Sequence, residues 1–212
     1  MDACCQEKEH ELAALQTTHG RVLKIVLAIN AVFFLIEFTA GILAHSTALL
    51  ADSLDMLGDA FVYGLSLFVL SRSVKWKAGA SIAKGVIMVA FGIGVLLEAF
   101  YKGMTGQVPV YETIGLIGAL ALAANLVCFV LLSKHRSDNL NMRSTWLCSR
   151  NDIMANVGVL IAALGVYATH SIWPDVLIGG AIAVLFLKSA LTVLTESFSE
   201  FRRAKPIPSC SI

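Results

Sequence analysis

Three aspartates fall inside one apolar run, in the order Leu50-Ala-Asp52-Ser-Leu-Asp55-Met-Leu-Gly-Asp59. An acid at the centre of a membrane helix costs about 2.5–3.5 kcal/mol even on the lenient insertion scale, so each one needs a reason. Asp55 and Asp59 have i, i+4 spacing, which stacks them on one helix face about 6 Å apart along the axis. Ionised and alone they would repel, and a divalent cation between them removes the repulsion. A second pair with the same spacing, Cys148 and Asp152, lies in Cys148-Ser-Arg-Asn-Asp152. Two such pairs on two helices supply the complement of ligands that tetrahedral Zn²⁺ requires. The other reading of these acids is buried polar glue, paired to Arg150 or to asparagines on neighbouring helices. Arg150 lies midway between Cys148 and Asp152, so it points about 160° away from their shared face and suits the headgroup region instead.

Further polar residues surround this set. Asp52 sits one turn from Asp55 and reads as an acid behind the ligands or on an exit path, or as a residue facing water at the outer mouth. Asn156, one turn beyond Asp152, is placed to orient it. Asn30, Glu37, Glu98 and Asn125 are expected to hydrogen-bond between helices. Near the N-terminus, Cys4 and Cys5 with His10 read either as a cytosolic capture tip for metal ions or as an inert tail, since adjacent cysteines are poor geometry for one tetrahedral ion. Cys128 reads as packing, and His45 as a solvated turn residue.

The elements that must hold these residues are helices in lipid. Of 212 residues, 57% are hydrophobic and only 15% charged, with a mean hydropathy of +0.76. Soluble chains carry about 25% charged residues, and a chain this short cannot hide so much apolar surface in one aqueous core. A net charge of +1 argues against a nucleic-acid partner, which needs a concentrated basic face. Six stretches approach the length of about 20 apolar residues that crosses a bilayer. They run roughly 22–44, 46–70, 81–100, 112–132, 145–169 and 174–194. The expected fold class is therefore all-α: a polytopic membrane protein with six transmembrane helices. Residues 1–21 are expected to form an N-terminal segment, 22–195 the six-helix transmembrane domain and 196–212 a short tail. No removable signal peptide is expected.

Of the sixteen lysines and arginines, an N-in, C-in course puts all but three in cytoplasmic segments. Lys102 falls outside, and Arg150 and Lys188 lie within spans. Both termini are therefore expected in the cytoplasm, where the five cysteines stay reduced and form no structural disulfide. Counting about 1.5 Å per residue from each membrane face brings Asp59 and Asp152 to one level.

The run Asn30-Ala-Val-Phe-Phe-Leu-Ile-Glu37 followed by His45-Ser46-Thr-Ala-Leu-Leu-Ala-Asp52-Ser-Leu-Asp55-Met-Leu-Gly-Asp59 resembles the first two helices of the cation diffusion facilitator family. Asn125, Asp152-Ile-Met-Ala-Asn156-Val-Gly158 and Trp173-Pro174-Asp175 extend the resemblance, in order, over about residues 22–200. It implies a homodimeric secondary transporter in the bilayer of a bacterial cytoplasmic (inner) membrane. Such a transporter exports Zn²⁺ or Cd²⁺, with Co²⁺ and Hg²⁺ as further candidates, in exchange for protons. The metal is substrate, and no prosthetic group is implied. The family's central ligands correspond to Asp55, Asp59, Cys148 and Asp152. Two departures stand out. Cys148 occupies a position that is usually His, and a thiolate favours Zn²⁺, Cd²⁺ or Hg²⁺ over Mn²⁺ or Mg²⁺. The cytoplasmic domain that usually follows the sixth helix is also missing, which marks a short member of the family. An enzyme is not expected: four protein ligands leave a metal no open position for water, and there is no HExxH. A non-transporting membrane sensor or partner subunit is the main alternative, with an intramembrane metallohydrolase behind it.

Overall fold

The computed structural model describes residues 24–69, 74–134 and 142–203, less the side chains at 65–69, 74–78, 132–134, 142–151, 200, 201 and 203. Cys4, Cys5 and His10 lie outside the described residues. Within them the chain is helical throughout: α1 Lys24–Leu43, α2 Thr47–Val69, α3 Val74–Thr105, α4 Tyr111–Lys134, α5 Met142–Thr169 and α6 Trp173–Arg203. No strand occurs among the described residues. The six helices coincide with the six expected segments, and the differences are at the ends. α3 starts at Val74 rather than near residue 81, and α6 runs on to Arg203 rather than stopping near 194. Apolarity marks only the stretch that hydrocarbon covers, while Lys, Ala and Glu are good helix formers and prolong the helices beyond it.

Among the described residues five helices are long and apolar enough to cross a membrane, namely α1, α3, α4, α5 and α6. Large side chains such as Leu43, Phe100, Met104, Leu164 and Leu177 face outward from them, as lipid-facing residues do. The chain is a polytopic membrane protein. α2 is the exception among its helices. With 23 residues it spans about 34 Å, yet it carries the three aspartates. The packing resolves the conflict, because α2 lies against α3, α4, α5 and α6 and every residue from Ser46 to Leu54 is buried. Asp52 thus faces protein, where partners can be built, and not lipid, where none exist, while Asp55 and Asp59 are half-buried. Around it, α3 pairs along α6 and α4 along α5. Ala48, Leu49 and Leu54 of α2 interlock with Met88, Val159 and Phe186 to form the core.

The start of α2 is fixed from α6. Ser46 Oγ donates to Asp175 Oδ1 at 2.6 Å, the Thr47 amide to Oδ2 at 2.7 Å and the Ala48 amide to Oδ1 at 3.2 Å. Ser46 Oγ in turn accepts the Leu49 amide at 3.1 Å. One buried carboxylate thus satisfies the open N–H groups at a helix start, where negative charge also suits the helix dipole. Gly179, one turn along α6, makes the approach possible: a Cβ there would stand 2.5 Å from the Thr47 carbonyl carbon. At the same end of the bundle the Val110 amide, just before α4, donates to Ala44 O at 3.0 Å. The joints α1–α2, α3–α4 and α5–α6 therefore share one end, and α5 runs antiparallel to α2.

His45 and His170 follow α1 and α5 with φ of 51° and 48°, left-handed positions where glycine is the usual choice. His45 is an exposed turn residue, as expected. Two basic residues are buried: Lys84 on α3, and Lys102 with Nζ 2.8 Å from Glu98 Oε1. Glu98 therefore serves its own helix rather than bridging two, because a lysine one turn away is the nearest available counter-charge.

Adjacent glycines provide a test of this packing. Gly180→Ala meets nothing within 4 Å and should leave thermal unfolding in detergent unchanged or slightly raised. Gly179→Ala forces backbone against backbone and should cost about 2 kcal/mol or more. Equal midpoints for the two variants would show that α6 does not sit against the start of α2.

Candidate metal centre

α2 and α5, the two helices that carry the expected ligands, pack against each other. Asn156 Nδ2 donates to Asp52 Oδ1 at 3.4 Å across that interface and to the Asp152 carbonyl at 2.9 Å within α5. The first bond sets the register of the two helices. From it, moving away from the Asp175 end, Asp55 lies about 4.5 Å along α2 and Asp152 about 6 Å along α5. Asp59 and Cys148 follow at about 10.5 and 12 Å. Asp55 is thus level with Asp152, and Asp59 with the Cys148 backbone. This corrects the depth reckoning that put Asp59 opposite Asp152. That reckoning assumed that both helices meet the membrane faces squarely, and packing angles shift such levels by a turn.

The individual acids differ in setting. Asp52 is fully buried, so it does not face water at an outer mouth. Asp55, Asp59 and Asp152 are half-buried, and the Tyr63 hydroxyl donates to Asp59 Oδ2 at 3.4 Å. Among the described residues no three His, Cys, Asp or Glu side chains stand close enough to share an ion. The Cys148 side chain lies outside the described residues, so the four-residue set is represented there by its three carboxylates alone. The acids are brought onto facing helices at matched levels, and not into one ready cluster.

Two residues have a larger part than the sequence suggested. Glu37 of α1 is fully buried, and its carboxyl lies against that of Asp52. An acid in mid-span is a visible signal, but nothing in the sequence pairs it with α2. Asp175 was visible only as part of Trp173-Pro174-Asp175, although an acid in a helix's first turn beside a Ser-Thr helix start is a capping pattern. Asn30 Nδ2 reaches Cys128 Sγ at 3.8 Å, joining α1 to α4 through a buried cysteine that packs as expected.

A bundle of apolar helices enclosing one acid-bearing helix defines a membrane protein built to accommodate charge within the bilayer. Residues 23–201 match the cation efflux transmembrane domain, and the chain belongs to that family. It is 30% identical over 209 residues to the zinc transporter ZitB of Escherichia coli (strain K12), covering 91% of this chain and 66% of that protein. Identity to ZitB of Yersinia pestis is 27%, covering 90% and 65%. To the metal cation efflux system protein CzcD of Cupriavidus metallidurans it is 27%, covering 83% and 62%. The chain thus spans about two thirds of the length of these relatives. The apolar helices and the bacterial relatives make it an integral, multi-pass protein of a bacterial inner membrane.

Coupling between Asp52 and Asn156 is measurable by a double-mutant cycle of thermal unfolding with Asp52→Ala and Asn156→Ala. The register derived above predicts about 0.5–1 kcal/mol of interaction between the two sites, as suits a long bond. Additive effects would show that the bond contributes nothing to holding α2 on α5.

Proposed function

We infer that this protein exports divalent transition-metal ions of the Zn²⁺/Cd²⁺ class from the cytoplasm in exchange for protons. Asp55, Asp59, Cys148 and Asp152 hold the ion. The observation that carries the reading is the Asp52–Asn156 bond, because it sets the two i, i+4 pairs level on adjoining helices. The names of the relatives agree with it: two are zinc transporters, and a relative from Bacillus velezensis, 25% identical, is named a cadmium, cobalt and zinc/H⁺–K⁺ antiporter.

The chemistry follows from the donors. Like-charged carboxylates on facing helices repel, and the ion supplies the attraction that draws them together. Binding requires a deprotonated thiol and deprotonated acids, so loading releases protons and apparent affinity falls as pH is lowered. Protons arriving from the opposite face compete the ion off, which couples export to the proton gradient. The Cys148 thiolate biases the site toward softer ions. With both termini in the cytoplasm, the Asp59–Cys148 end of the site lies toward the cytosol and the Asp175 end lies outward. A homodimer is the working assembly.

Inside-out vesicles containing the chain alone test this reading. An outward-acid pH step, imposed as an acidic lumen, should drive Zn²⁺ uptake, and Asp55→Ala should reduce uptake to that of vesicles without the protein. Uptake indifferent to the pH step would remove the exchange mechanism, and no uptake from folded protein would favour a sensor or partner subunit. Cys148→His should shift preference away from Cd²⁺ while preserving Zn²⁺ transport. An unchanged Zn²⁺/Cd²⁺ ratio would take Cys148 out of the ligand set.

A further inference from the structure

Behind the proposed ligands lies a second group of oxygens that the transport reading does not use. Glu37 of α1, Asp52 of α2 and Asn156 of α5 are 0%, 0% and 1% exposed. Both carboxylate oxygens of Glu37, Asp52 Oδ2 and Asn156 Oδ1 are buried with no donor from any other residue, the only hydrogen bond open to these acid oxygens being one through a proton shared between the two carboxyls. The Glu37 carboxyl lies against that of Asp52, and the charged groups acting on it are Asp52 and Asp55, both acids. Asn156 Nδ2, at 3.4 Å from Asp52 Oδ1, is a long and weak donor for a buried carboxylate. Leaving so many acceptors unsatisfied in a low-dielectric interior is costly, and two adjoining carboxylates add their mutual repulsion. A cation at the centre of the group removes both costs at once.

We propose that Glu37, Asp52 and Asn156 form a second, all-oxygen cation site, one helical turn from Asp55 toward the end of the bundle closed by Asp175. Two carboxylates match the charge of a divalent ion, and the amide oxygen completes a set of hard donors. Such a set suits ions of the Mn²⁺ or Ca²⁺ type and holds Zn²⁺ or Cd²⁺ less tightly than a site with a thiolate. As a deepening of the export reading, on which this role rests, the group is a relay. An ion leaving the thiolate-bearing set passes to weaker, harder ligands before reaching the outer end. The existence of the site does not depend on that role.

Mn²⁺ itself is the probe, because its free form is counted directly by electron paramagnetic resonance. Full-length protein in detergent micelles should bind one Mn²⁺ per chain through this group. Asp59→Asn should keep that binding, while Glu37→Gln and Asp52→Asn, singly and together, should weaken it at least tenfold. Helical content by circular dichroism and monodisperse elution confirm that each variant is folded, and Glu37→Gln preserves size if the double variant fails to fold. Loss of Mn²⁺ in Asp59→Asn with retention in the double variant would assign the ion to the aspartate pair and overturn the proposal. Absence of Mn²⁺ binding in the intact protein would also overturn it and leave a shared proton between the two carboxyls. Failure of the export reading has a separate signature, the lack of a thiolate-to-Cd²⁺ charge-transfer band in intact protein.

Discussion

Carboxylates cannot face hydrocarbon, and this constraint organises the molecule. α2 carries Asp52, Asp55 and Asp59 within a length that must cross the bilayer. The remaining helices surround it so that its first turns, Ser46 to Leu54, touch only protein. The helices around it are mainly apolar, and of their polar groups Glu37 of α1, Asn156 of α5 and Asp175 of α6 are buried. Their large aliphatic and aromatic side chains point away from α2, and the small residues Gly41, Gly118 and Gly179 point toward their neighbours, where an added Cβ would lie within 3.0 Å of another side chain or backbone. Close backbone approach stands in for the hydrophobic effect, which gives no advantage between helices already in lipid.

Burial creates a second demand, that every polar group inside find a partner. At one end of α2 the demand is largely met, as Asp175 takes a hydroxyl and two amides, with Thr47 Oγ1 left over. In mid-bundle it is met in part: Asn156 reaches both Asp52 and its own helix, while Glu37 and Asp52 keep oxygens that meet no donor from any other residue. A well-satisfied end and an under-satisfied middle fit a carrier that keeps one part of α2 fixed and offers another part to a cation. α2 and α5 are antiparallel neighbours because two further helices intervene between them in the chain, and in that arrangement Asp55 falls level with Asp152.

Much of the fold was legible in the sequence. Apolar length located six helices because the bilayer has a fixed thickness, and the aspartates marked α2 as the helix to be enclosed, because acids in an apolar run are costly in lipid. Helix ends were not legible: α3 and α6 continue through polar residues that form helix well but carry no hydropathy signal. Pairings between distant helices were also beyond sequence spacing. Glu37 beside Asp52, Asp175 on Thr47, and the level of Asp55 against Asp152 depend on crossing angles that no local pattern encodes. Lys102 beside Glu98 was within reach, since i, i+4 spacing already offered it.

X-ray absorption at the zinc edge of Zn²⁺-loaded protein tests the central claim most directly, because it counts ligand types around the ion. A site closed by Asp55, Asp59, Cys148 and Asp152 predicts one sulfur at about 2.3 Å and an oxygen shell at about 2.0–2.2 Å. The sulfur should vanish in Cys148→Ser. A shell of oxygen or nitrogen alone in the intact protein, or a sulfur that survives Cys148→Ser, would contradict the account.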